Sequence, residues 1–189
     1  MSDTDGATGT SGQGGNQGQS GPSGSFRIVT QYIKDMSFES PNAPHSLGSG
    51  LPQPAIDIAV DVLPTRVGKE QFEVAIQLTA KATRGEKVVF IAELLYGGLF
   101  TVSGVPDEHL QPLLLIEAPR FLFPFARRIM ADATQDGGFP PLALDYMDFD
   151  RIYRQQLAQR AQAGESPTGA IQGSESESEA AAHAEDEDA

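Results

Sequence analysis

The chain has 189 residues, no cysteine and a net charge of −13. That length suits one domain with a sizeable core. The lack of cysteine excludes disulfides and thiolate chemistry. The acidic balance argues against nucleic acid and anionic membrane surfaces, both of which need clustered Lys and Arg.

In chain order, residues 1–25 are almost all Gly, Ser, Thr, Gln, Asn and Asp. They lack the apolar surface to offset the cost of ordering, so a disordered leader is expected. No N-terminal apolar run follows a basic segment, so no secretory signal is read here and the expected location is the cytoplasm. The longest apolar stretch, Leu113–Ile116, is far too short to span a bilayer.

Four strands are predicted next. Phe26–Phe38 places Phe26, Ile28, Thr30 and Tyr32 on one face and Val29, Gln31 and Ile33 on the other. Pro41 and Pro44 end it, because proline cannot donate to a sheet ladder. Ala55–Leu63 turns Ile56, Ile58, Val60 and Val62 inward and Asp57 and Asp61 outward. Glu70–Thr83 puts Phe72, Val74, Ile76, Leu78 and Ala80 on one side, and Arg84-Gly85-Glu86 marks a tight hairpin. Glu86–Val102 sets Val88, Phe90, Ala92, Leu94 and Tyr96 against Val89, Ile91, Glu93 and Leu95. Both of its faces are apolar, which predicts a second partner surface and oligomerisation. Gly97-Gly98 within it reads as a bend or bulge.

Helices follow. Asp107–Gln111 starts one, with acids in its first turn. Pro112, Pro119 and Pro124 predict a break or kink, with a new segment from about Pro119 to Ala133. Asp136–Pro141 is a loop, and Asp148–Ala163 a last helix with Phe149, Ile152, Tyr153 and Leu157 as its apolar stripe. The predicted fold is α+β: a four-stranded antiparallel sheet with C-terminal helices packed on one face. Residues 164–189 carry eight acids and no base, −8 of the net charge, and are expected to be a disordered acidic tail. The globular domain is then 26–163.

Little in the chain points to catalysis. His45, His109 and His183 lack metal-ligand spacing, and no metal or cofactor is implied. There is no phosphate-loop motif and no Gly-x-Ser-x-Gly elbow. Asp35 with Glu39, and Asp57 with Asp61, are four apart on strands and so share a face, as solvated sheet acids commonly do. The chain is read as a non-enzyme. The aromatics Phe121, Phe123, Phe125, Phe139, Tyr146, Phe149 and Tyr153 suit helix packing, and they equally suit a groove for extended peptides.

Five blocks in order carry a resemblance. Lys34-Asp-Met-Ser-Phe-Glu-Ser-Pro-Asn-Ala-Pro44 ends the first strand, and Ala92-Glu93-Leu94-Leu95-Tyr96-Gly97-Gly98-Leu99-Phe100 lies in the fourth. Leu122-Phe123-Pro124-Phe125-Ala126-Arg127, Gly138-Phe139-Pro140-Pro141-Leu142 and Asp148-Phe149-Asp150 follow. Together the blocks resemble the SecB family of bacterial export chaperones over about residues 26–157. The resemblance implies a homotetramer, a dimer of dimers, that keeps newly made secretory preproteins unfolded and passes them to the SecA ATPase. It implies no cofactor and no hydrolysis.

By motif position, the resemblance puts SecA docking at Asp35, Glu39, Ile91 and Glu93. The candidate client groove takes Phe123, Phe125, Leu142, Tyr146, Phe149 and Tyr153. Leu51 joins them, standing where the family often has Trp. Ala92, Leu94 and Tyr96 are the candidate oligomer contacts. Two other readings fit the same chain: an oligomeric interaction module serving one dedicated folded partner, and a pocket-type domain for a small ligand.

Overall fold

A computed structural model describes residues 24–163 and the pair 172–173. The four long strands are β1 (Ser25–Glu39), β2 (Ala55–Arg66), β3 (Gln71–Arg84) and β4 (Lys87–Ser103). They pair antiparallel in the order β1-β4-β3-β2, and a two-residue strand β5 (Gln172–Gly173) runs parallel to Thr65–Arg66 at the β2 edge. The predicted leader up to residue 23 lies outside the described residues. So does the predicted acidic tail, apart from the β5 pair.

The strict alternation predicted for β2 and β3 is what forms. Val62, Phe72, Val74, Ile76, Leu78 and Ala80 are buried on one face, while Asp57, Asp61 and Gln77 are exposed on the other. β1 and β4 depart from it. The β1–β4 register slips between Ile28 and Thr30 and again between Ile33 and Asp35, and the β3–β4 register slips at Val89. Each extra residue flips the face of everything beyond it. Ile28, Ile33, Met36 and Phe38 therefore share the helix side, whereas Thr30, Tyr32, Asp35, Ser37 and Glu39 share the outer side. Val88 sits opposite Thr83, away from the Phe90 face.

Gly97-Gly98 is not a bulge, because both residues hold unbroken register with β1 and β3. Their role is close approach. A Cβ on Gly98 would stand 2.7 Å from Leu122 and 3.0 Å from Phe100.

The predicted helix break is instead a change of winding. α1 (Asp107–Pro112) passes through a π-helical turn (Leu113–Glu117) into α2 (Ala118–Asp136). Pro112 closes α1, and Pro119 stands where the π-helical turn runs into α2. Pro124 is tolerated inside α2. α2 lies on β4 and β3, burying Leu122, Phe123, Ala126 and Met130 against Leu78, Leu94 and Phe100. Each fully buried large side chain contributes about 1.5–3 kcal/mol. α3 (Phe149–Ala163) starts where Asp148 Oδ1 accepts the Arg151 N–H at 3.1 Å, an N-cap that satisfies one free helix donor.

The helix layer is narrower than the sheet. Ile28, Ile33 and Met36 of β1 and Ile56 and Ile58 of β2 lie on the helix side yet stay exposed.

Candidate functional site

The outer sheet face gathers acids. Register places Glu39 opposite Ile91, Ser37 opposite Glu93 and Asp35 opposite Leu95, so Asp35, Glu39, Ile91 and Glu93 form one patch across β1 and β4. Asp35, Glu39 and Glu93 are exposed and Ile91 is half-buried. Ser37 Oγ approaches Glu93 Oε2 at 3.5 Å. Asp57 and Asp61 of β2 share this face. Further along it, Tyr32 donates to Glu73 Oε1 at 2.6 Å and Lys34 Nζ bonds Glu73 Oε2 at 2.9 Å. Burial pushes the Glu73 carboxyl up, but its bonds from Lys34 and Tyr32 outweigh that and hold it below the usual carboxylate range. Burial, then the Glu73 bond and charge, push the Tyr32 phenol up to about 12. Lys34 is thus occupied by Glu73 and offers little to offset the patch.

Among the described residues, two concavities on the helix side take in predicted client residues. The larger, of about 480 Å³, is lined by Arg120, Phe123, Pro124, Arg127, Arg128, Ala131, Tyr146, Met147 and Phe149. The other, of about 400 Å³, lies between two loops. One wall is the segment after β1, with Leu47, Leu51, Pro52 and Pro54. The opposite wall is the segment after α2, with Phe139, Pro140, Pro141 and Leu142. Ile56 and Phe90 reach it from the sheet.

Both walls are anchored. Asn42 Nδ2 donates to the Val88 carbonyl at 2.8 Å and Ser40 Oγ to that of Val89 at 3.2 Å. Thr134, buried in α2, accepts the Leu142 N–H at 2.8 Å and donates back to its own helix. Phe38, Phe90 and Phe139 meet in one cluster, with ring centroids 5.0–6.3 Å apart. Gly137 makes room for it, since a Cβ there would lie 2.2 Å from the Phe38 ring.

The predicted client residues therefore split. Leu51 and Leu142 line the two-loop groove, while Phe123, Tyr146 and Phe149 line the larger concavity. Phe125, 43% exposed, and the half-buried Tyr153 line neither. Phe149 and Phe123 serve mainly as core, in edge-to-face contact at 5.7 Å. Tyr146 is the outlier at 77% exposed.

Sequence reasoning missed Leu47, Ile56, Arg84 and Phe90 as groove residues, and it counted Phe139 among the groove-suited aromatics without assigning it to the client set. Phe139, set between Gly-Gly and Pro-Pro, was the available signal for a loop aromatic. The expected oligomer contacts require correction. Ala92 (1% exposed), Leu94 (1%) and Tyr96 (6%) lie on the helix side of β4, inside this chain's own core, with no area left for a partner. Desolvation there pushes the Tyr96 phenol up. The second apolar face of β4 consists of Ile91, Leu95 and Leu99 instead.

Among the described residues no helix is long and apolar enough to cross a membrane, and no group of His, Cys, Asp or Glu is arranged to hold a metal ion.

Comparison with known proteins agrees with the motifs. The family described as "Preprotein translocase subunit SecB" matches residues 18–160. "Protein-export protein SecB" of Maricaulis maris is 56% identical over 137 residues, covering 72% of this chain and 80% of that protein. Its namesake in Agrobacterium fabrum is 48% identical over 137 residues, covering 72% and 86%. In structure, a Mycobacterium tuberculosis SecB-like chaperone in complex with a ChAD peptide from an antitoxin aligns with a TM-score of 0.55 at 18% identity. That alignment covers 65% of this chain and 90% of that one, a likeness of fold. With the sheet, the covering helices and the five sequence blocks in place, the chain belongs to the SecB family of protein-export chaperones.

Proposed function

We propose that this chaperone holds newly made secretory precursors unfolded by burying their extended apolar segments in the two-loop groove. The observation that carries the reading is the groove's lining. Leu47, Leu51, Ile56, Phe90, Phe139 and Leu142 converge between two wall segments on an aromatic cluster. Burial of this kind is non-directional and tolerates many sequences, as a holdase requires. The larger concavity is the weaker choice, because Arg120, Arg127 and Arg128 line it and apolar client segments gain little from them. No catalytic step is part of this function, and its place is the cytoplasm, where precursors are made.

In the same proposal the acidic patch of Asp35, Glu39 and Glu93, with Ile91 as its apolar centre, docks a basic segment of SecA. Complementary charge there would speed encounter and orient the partner. The chain works as a homotetramer, a dimer of dimers. The apolar strip Ile28, Ile33 and Met36, beside the open edge of β1, supports self-association, because an open edge with an uncovered apolar face calls for a partner strand.

The test is titration calorimetry with one secretory precursor, freshly diluted from denaturant and then folded. Binding confined to the unfolded form, with a negative heat-capacity change, is expected. Equal binding to both forms, or to neither, would sink the holdase reading in favour of a dedicated folded partner or a pocket ligand.

A further inference from the structure

The exposed strip Ile28, Ile33 and Met36 is interrupted by one polar residue. Gln31 stands opposite Gly98 of β4 and so lies on the helix side, in the middle of the strip. Its Oε1 is buried and has no hydrogen-bond partner among the described residues. Burying a carboxamide oxygen unpaired is costly, and any donor brought within reach relieves that cost. The helix α2 extends the apolar surface. Phe121 tilts over Phe26 with ring centroids 6.1 Å apart, Phe125 follows one turn on, and both are exposed. Beside this surface runs an open edge, because β1 is an outermost strand of the sheet among the described residues.

A second copy of β1, lying antiparallel, would close that edge and extend the sheet through a two-fold axis. Directly opposed residues then share a face, which limits where the axis can fall. Phe26, Ile28, Gln31, Ile33, Met36 and Phe38 lie on the helix side, and Arg27, Thr30, Tyr32, Asp35 and Ser37 on the outer side. An axis at Ile33 would set Gln31 against Asp35, across faces. Within a residue of the strand's midpoint at Tyr32, axes at Gln31 and at Tyr32 are the two that match faces outside the bulges.

Those two axes differ in what they bring together. The Tyr32 axis sets Gln31 against Ile33 and Arg27 against Ser37, so neither the carboxamide nor the guanidinium gains a partner of its kind. The Gln31 axis sets each carboxamide against its twin, the amide of one facing the oxygen of the other. It also sets Phe26 against Met36 on the helix face and Arg27 against Asp35 on the outer face. Arg27 and Asp35 are both exposed, and neither is in an ion pair among the described residues. An exposed pair of this kind adds little strength but discriminates between registers.

We propose that Gln31 is the axial residue of a contact between the β1 strands of two copies of this chain: each carboxamide turns to bond its twin, and that bond fixes the register in which the apolar strips, with Phe121 and Phe125, meet. A polar residue in an apolar seam serves this purpose by selecting one alignment at some cost in strength. The proposal rests on the reading that the chain self-associates along β1, and its test separates the two.

The chain has no cysteine, so introduced thiols meet no competitor. Full-length Thr30→Cys chains are mixed with isotope-labelled Tyr32→Cys chains, oxidised mildly and weighed by mass spectrometry. The Gln31 axis sets residue 30 directly opposite residue 32, so the mixed disulfide should exceed the Tyr32→Cys like pair by about tenfold. Adding Gln31→Leu to both chains should bring the two products to comparable yield, with association by analytical ultracentrifugation no weaker than before. Gln31→Glu and Gln31→Lys place like charges on the axis. Each alone should weaken association by about tenfold at low salt, and their equimolar mixture should regain it. Circular dichroism first establishes that each variant is folded.

A dominant Tyr32→Cys like pair overturns the register. A product ratio that Gln31→Leu leaves unchanged, or Glu and Lys variants that associate as wild type does, overturns the axial role. Ile33→Glu tests the underlying reading. If association survives it, or if wild type sediments as a monomer, the β1 edge is left to another occupant such as an extended client segment, and the failure belongs to that reading.

Discussion

Gly98 of β4 lies under Leu122 of α2 so closely that a Cβ on the glycine would stand 2.7 Å from the leucine Cδ2. This contact sets how near the helix layer can come to the sheet. Leu122 and Phe100 beside it are both completely buried, so neither has room to yield. Gly98→Ala is expected to destabilise the chain by about 1–3 kcal/mol through overpacking. Urea denaturation would show a lower midpoint with an unchanged slope. An unchanged midpoint would mean that α2 rides freely on the sheet.

Thr134 joins α2 to the groove's second wall through the Leu142 amide. Thr134→Val keeps the shape and removes the acceptor, stranding a buried N–H. The expected loss is about 1–3 kcal/mol. Exchange of the Leu142 amide, measured by NMR or mass spectrometry, should accelerate more than exchange in the β3 core. Equal acceleration everywhere would show a global effect and no local anchor.

The Tyr32–Glu73–Lys34 cluster makes stability depend on pH at both ends of the scale. Glu73 titrates below its usual 4.5 in the folded chain, so its contribution is present above that value and is lost as pH falls through the folded one. Tyr32 titrates near 12 against a usual 10, so its contribution holds below 10 and is lost between 10 and 12. The cluster is partly exposed, and solvent screening keeps each contribution under about 1 kcal/mol. Denaturation midpoints of wild type and Tyr32→Phe should converge as pH rises from 10 to 12. Parallel curves over that range would refute the assignment.

Charge reversal on the outer face should separate docking from folding. Asp35→Lys combined with Glu93→Lys is expected to weaken calorimetric binding to SecA by at least about tenfold at low salt, and to flatten its salt dependence. Stability should move by no more than about 0.5 kcal/mol, as for exposed sites. Undiminished SecA binding would place the dock elsewhere.

Much of this architecture can be read directly from residue order. β2 and β3 follow strict alternation because one face meets the helices and the other meets water, so Val74, Ile76 and Leu78 could be assigned to the core by counting. β1 and β4 could not be counted in the same way. Their bulges at Val29, Lys34 and Val89 answer to sheet twist and strand pairing, which leave no mark in a single strand's pattern. The two apolar faces of β4 were visible, but which one the helices would cover was not, and Ala92, Leu94 and Tyr96 went to the wrong partner. The acidic patch was within reach because Asp35 and Glu39 share a strand and Glu93 a recognisable block. The groove was only half legible. Its walls are some ninety residues apart in sequence, and Arg84, which donates to the Pro52 and Ser46 carbonyls of one of them, belongs to a hairpin that by its own pattern is merely a turn.

Four of the residues facing the two-loop groove are prolines: Pro52, Pro54, Pro140 and Pro141. Proline has no N–H to give. A polypeptide held between these walls, as proposed, would meet fewer backbone donors and be gripped more by contact area than by pairing rung by rung. In the proposed client role, such a track would leave its occupant free to shift lengthwise. An onward motor pulling from one end would then meet friction spread over many small steps instead of one lock to be broken.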